Sequence, residues 1–105
     1  MNTTPQMRQD SHGRLVTDAK LQNYVNDLYK GEGSPDQIGT GSTADALRNE
    51  LRTGQPTEGV FHAMKAEQYI NGLPNWLRKN PNASAEDIYA AEGMLQDLIA
   101  ALSGH

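Results

Sequence analysis

The run Gly39-Thr-Gly-Ser-Thr-Ala-Asp45-Ala-Leu-Arg-Asn-Glu50-Leu-Arg-Thr-Gly54, continued by Gln55-Pro-Thr-Glu-Gly-Val60-Phe-His-Ala-Met-Lys65, decides how the chain reads. Its first part carries the marks of a short helix. Ser42 or Thr43 can cap it, because a hydroxyl accepts from the first unpaired backbone N–H groups. Asp45 lies in the first turn, where negative charge suits the helix dipole. Gly54 closes it. Asp45, Arg48 and Arg52 fall three and four apart and share a face. Ala44, Leu47 and Leu51 fall on another, predicted to meet the core. Glu50 is two residues from Arg48 and is expected on a different face, which leaves Asp45 as the better partner for the guanidinium.

Working outward, Leu21, Tyr24, Val25 and Leu28 recur at i, i+3, i+4 and i+7, one apolar stripe of a helix within residues 15–30. Gly31 and Gly33 stop it. Residues 31–41 hold four glycines and Pro35, and so form a loop. Downstream, Phe61, Met64, Tyr69, Ile70, Leu73, Trp76 and Leu77 keep helical spacing, but Gly72 and Pro74 lie inside the pattern. An interior proline costs about 3 kcal/mol, so a break or kink near 71–74 and two helical pieces are expected. Ser84, with Glu86 and Asp87 behind it, predicts a capping box. Ile88, Ala91, Leu95, Leu98, Ile99 and Leu102 then outline the clearest amphipathic helix. The fold expected is mainly α: a small single domain of four or five short helices over 14–105, with a minimal β element near Val60. Residues 1–13, including His12, read as a flexible N-terminal arm.

At 105 residues the chain is one domain at most. Mean hydropathy is −0.70 and apolar residues are 36%, so the core must be small. A covering partner would add stability by mass action. Nine basic against thirteen acidic side chains give a net charge of −4, which argues against broad, non-specific nucleic-acid binding. The balance is uneven. No Lys or Arg follows Lys79, whereas Glu86, Asp87, Glu92 and Asp97 do, so a basic face backed by an acidic helix remains open. The absence of cysteine excludes disulfides and thiolate metal sites. No apolar run reaches membrane-spanning length, so no stable membrane insertion is expected. No secretory signal is seen, and export would place that signal on a longer parent chain.

His62 is the first candidate for chemistry. An imidazole can act as general base near neutral pH, and Lys65, three residues on, shares its face. It reads equally as a half-exposed surface histidine. Arg48 can grip a phosphate or carboxylate, or simply pair with Asp45 on the surface. Ser42 and Thr43, opening a helix after a Gly-rich loop, can receive a phosphate or merely cap. Arg78 and Lys79 beside Trp76 form either a nucleic-acid patch or two solvated charges next to a core tryptophan. No cofactor and no metal are called for, because no His-x-x-x-His or similar pair is present.

These residues together carry a resemblance. The block Gly39–Gly54, then His62-Ala-Met-Lys65-Ala, then Asn75-Trp-Leu-Arg-Lys-Asn-Pro-Asn-Ala-Ser84 and the Leu-Gln-Asp-Leu-Ile-Ala-Ala-Leu102 tail resemble the extreme C-terminal modules of bacterial polymorphic toxins. Such modules end contact-dependent growth-inhibition and Rhs-type proteins. The similarity covers about Gly39 to Leu102. Family members often read Gly-Asn-Gly where this chain has Gly39-Thr40-Gly41. The resemblance implies a toxin tip exported at the C-terminal end of a larger cell-surface protein and acting in the target-cell cytoplasm. It implies a nuclease, frequently one that cuts tRNA, and a cognate immunity protein.

Metal-free RNA cleavage needs a base for the 2′-OH proton, an acid for the leaving oxygen and cations for the pentavalent phosphate. His62 is the expected proton carrier. Arg48 and Lys65 are the expected charge stabilisers, and Asp45 or Glu50 would orient them. Ser42, Thr43, Lys20, Arg78 and Lys79 are expected to contact substrate phosphates. The competing reading is a non-catalytic helical interaction module, such as an immunity protein or adaptor. A DNase toxin is a third.

Overall fold

The computed structural model describes residues 8–9, 15–33 and 37–105. It is mainly helical. Two short strands, β1 (Arg8–Gln9) and β2 (Leu15–Val16), pair antiparallel ahead of four helices: α1 (Ala19–Leu28), α2 (Thr43–Thr53), α3 (Ala63–Lys79) and α4 (Ala85–Leu102). Part of the expected arm is thus tied to the domain. Residues 1–7 and 10–14, with His12, lie outside the described residues.

Local chemistry sets the helix ends. Asp18 caps α1 by accepting from Leu21 N at 2.9 Å. Ser42 caps α2 through Asp45 N at 3.0 Å, and Gly54 ends it in the left-handed region at φ 73°. Ser84 caps α4 through Asp87 N at 3.1 Å. Only half of the expected capping box forms there. The Asp87 carboxylate turns away from Ser84 and accepts from Thr17 N, Thr17 Oγ1 and Asp18 N at 2.8–3.0 Å. Asp18 in turn accepts from Trp76 Nε1 at 3.0 Å. A buried carboxylate must be paired, and this chain of bonds fastens the β2–α1 junction to α4 and α3. It also fixes Trp76 in the core, which removes the ring from any stacking role.

α4 packs against α2, α3 and β2. Its inner line is Asp87, Ala90, Ala91, Met94, Leu98 and Ala101. That line is rotated from the stripe expected, and Ile99 is exposed. Three alanines let the neighbours approach closely, and the Asp87 anchor sets the rotation. The core is completed by Val16, Leu21, Val25, Leu28, Tyr29, Leu47, Ala66, Leu73 and Trp76.

α3 corrects a second expectation. It continues as one helix of 17 residues through Pro74. Leu73 and Trp76, both buried, flank the proline on the core side. Their burial holds both halves in one line and outweighs the lost backbone bond. Among the described residues the helix count is therefore four. The β element near Val60 is a two-residue turn: Thr57 and Val60 exchange backbone bonds at 3.0 and 3.1 Å across Glu58 and Gly59, both at positive φ.

Candidate active site

α2 presents Glu50 inward, not Leu51. Leu51 is 56% exposed, whereas Thr43, Ala44, Ala46, Leu47 and Glu50 are buried. The reason lies twelve residues on. The Thr57–Val60 turn folds the chain back so that His62, the residue preceding α3, meets the Glu50 carboxylate. One oxygen accepts from His62 N at 2.7 Å and the other contacts Nδ1 at 2.5 Å. The ring does not cap α3; it is turned toward α2.

A carboxylate only accepts, so the Nδ1 it holds carries the hydrogen, and Nε2 is the ring nitrogen left to exchange a proton. No described residue bonds Nε2. The Glu50 side chain is 3% exposed and that of His62 is 19% exposed, which makes Glu50 the inner partner and His62 the group that meets solvent. This is the arrangement by which an acid fixes the tautomer and orientation of a working imidazole.

His62 borders a cavity of about 250 Å³, with Lys30, Gly31, Ile38, Gly41 to Thr43, Ala46, Thr57, Glu58 and Lys65 around it. Lys65 is positioned by α1. Its Nζ donates to Asp27 O at 2.8 Å and pairs with Asp27 Oδ1 at 3.0 Å, while Tyr69 OH donates to Asp27 Oδ2 at 2.6 Å. Burial opposes ionisation of Asp27. The hydrogen bonds from Tyr69 and Lys65, and the charges of Lys65 and Lys30, outweigh it and hold the carboxyl below its usual value. Burial and the Asp27 carboxylate together push the Tyr69 hydroxyl well above its ordinary value.

The structure therefore gathers His62, Glu50, Lys65, Ser42 and Thr43, and leaves the other expected residues elsewhere. Arg48 does not line the cavity. Its guanidinium bonds Asp45 at 2.9 Å and Asp97 at 2.6 Å, and donates to the carbonyls of Asp97 and His105. It is a fastener between α2, α4 and the C-terminal residue. Burial alone would lower its pKa, but the contacts with Asp97 and Asp45 raise it. Asp45 is spent likewise. Despite burial, bonds from Thr40 N and Oγ1 and from Arg48 keep it ionised below the usual range.

Lys20 is exposed in the first turn of α1. Arg78 bonds Asn75, and Lys79 borders a separate polar groove with Thr17, Asn80 and Ser84. Arg48, expected beside His62 as a charge stabiliser, is thus not part of the cavity, because α4 claims the guanidinium. Lys30, Thr57 and Glu58 are the cavity residues with polar side chains that the sequence reading did not single out. The one signal for Lys30 was its place directly before Gly31.

No family model matches this chain, and neither a curated protein nor a solved structure matches it. Among the described residues, no helix is long and apolar enough to cross a membrane, and no three His, Asp or Glu side chains converge as metal ligands would.

Proposed function

We propose that this protein is a ribonuclease toxin module. In this reading Glu50 orients His62, His62 moves the proton, and Lys65 and Lys30 offset phosphate charge. The observation that carries it is the Glu50–His62 pair, buried on its carboxylate side and open to a cavity on its imidazole side. A proton carrier held in one orientation beside cations is what transphosphorylation of RNA requires.

In that reaction Nε2 of His62 takes the 2′-OH proton and the 2′-oxygen attacks phosphorus. The bond to the 5′-oxygen breaks, and that oxygen takes a proton from an ammonium or from solvent. The products are a 2′,3′-cyclic phosphate and a 5′-hydroxyl end. No metal is needed for any of these transfers.

The resemblance to growth-inhibition and Rhs-type toxin modules supports tRNA as the target, a cognate immunity protein as partner, and export at the end of a larger surface protein. The low net charge suits a substrate gripped in one local groove. Inducible expression without the neighbouring open reading frame tests this directly. Growth arrest with fragmented tRNA is expected, and healthy growth with intact RNA would overturn it.

A second reading, a non-catalytic interaction module, draws on a specific surface. Val60, Phe61 and Met64 are all more than half exposed beside the cavity, Met64 at 80%. Apolar side chains exposed together mark contact sites. In the toxin reading the same surface is available to the immunity protein. The two readings part on whether His62→Ala abolishes toxicity.

A further inference from the structure

The cavity that His62 borders runs to the start of α2, where Gly41, Ser42 and Thr43 line it beside Lys30. α2 has eleven residues, enough for its peptide dipoles to gather positive charge at its first N–H groups. Two of these are used inside the helix cap: Asp45 N donates to Ser42 Oγ and Ala46 N to Ser42 O. The N–H groups of Thr43 and Ala44 find no acceptor among the described residues.

One side chain points to a ligand independently of the helix end. Thr43 is 3% exposed and lines the cavity, yet its hydroxyl bonds no described residue. Buried hydroxyls are normally satisfied. Nearby acids do not close the site to an anion. Asp45, in the first turn, has its oxygens committed to Thr40 and Arg48. Glu58 lines the same cavity and is the acid that an anion there must share it with.

We infer that this end of the cavity is a second phosphate subsite, built from the Thr43 hydroxyl, the Thr43 N–H group and the Lys30 ammonium. Glu50 lies seven residues further along α2, about 10 Å at 1.5 Å per residue. In this proposal a phosphate at the helix start is not the one beside His62, but one further along the same strand. The inference deepens the ribonuclease reading and rests on it for the polymer that brings the phosphate. It requires a substrate reaching past the scissile bond.

Amide NMR of the full chain, titrated with inorganic phosphate, tests it. Saturable shifts are expected at Thr43 and Ala44 and not at Ala85 and Glu86, which open α4. Thr43→Val should weaken binding by about tenfold. Thr43→Ser should keep it. A short RNA carrying 2′-deoxyribose at the cut position should shift the same amides. The subsite is overturned by no saturable shift at Thr43 and Ala44, by equal shifts at the start of α4 (an adventitious ion only), or by unchanged affinity in Thr43→Val. Phosphate binding in a protein that leaves RNA intact would sink the ribonuclease reading and keep the subsite. RNA cleavage without phosphate binding would do the reverse.

Discussion

Both oxygens of the Glu50 carboxylate are spent on His62, one on its backbone N–H at 2.7 Å and one on its ring at 2.5 Å. The first bond sets where the histidine stands, and the second sets which way the ring faces. Glu50→Gln should therefore lower RNA cleavage by roughly 10–100-fold, the usual effect of losing an orienting partner. Substrate affinity should change little, because Glu50 lies behind the ring. Separate kcat and KM values check this, and a loss confined to KM would contradict it.

Arg48 should behave as a structural residue. Arg48→Ala leaves Asp45 and Asp97 without their shared cation and removes the donors to the carbonyls of Asp97 and His105. Its hydrogen bonds to charged groups are only partly shielded from water, so we expect a loss of about 1–2 kcal/mol in chemical denaturation. At temperatures where the variant is folded, cleavage should fall by less than about threefold. A larger loss in a folded variant would return Arg48 to the chemistry.

Helix ends were legible in the sequence because their causes are local. Ser42, Ser84 and Gly54 sit next to the groups they satisfy, and each does in the structure what its position predicts. The fate of Pro74 was not legible. Whether an interior proline breaks a helix depends on what its neighbours bury, and the core that receives Leu73 and Trp76 is built by other elements. The site was half legible. His62 and Lys65 share a face by spacing alone. Glu50 was named as one of two orienting acids, but its pairing with His62 depends on the Thr57–Val60 turn, which makes it the inward residue in place of Leu51. Arg48 was misplaced because Asp97, forty-nine positions away, competes for it.

Asp87 is the residue on which the packing of β2, α1 and α4 most depends. Asp87→Ala removes three bonds and orphans the N–H groups of Thr17 and Asp18. A loss of roughly 2–4 kcal/mol is expected. Asp87→Asn, which keeps an acceptor oxygen, should lose less. Equal stability of Asp87→Ala and the parent would contradict the role.

Acid should destabilise the fold through Asp27 and Asp45. Both carboxyls titrate lower in the folded chain than their ordinary value of 3.8. Below that value the unfolded chain binds more protons, so stability rises with pH through this window. The contribution is fully present above about 3.8 and is lost as pH falls through the folded values. Denaturant melts between neutral pH and pH 3 should show the loss. In Asp27→Asn and Asp45→Asn the acid-dependent part should shrink. An unchanged acid limb in both variants would contradict the assignment.

The central claim is that His62 is the proton carrier of an RNA-cleaving site. The direct measurement is incubation of purified protein with total RNA in a metal chelator, with fragment ends analysed. The account predicts fragments bearing 2′,3′-cyclic phosphate and 5′-hydroxyl ends, and none from a His62→Ala variant shown to be folded by circular dichroism. RNA left intact by the folded parent, or cut as fast by His62→Ala, would contradict it.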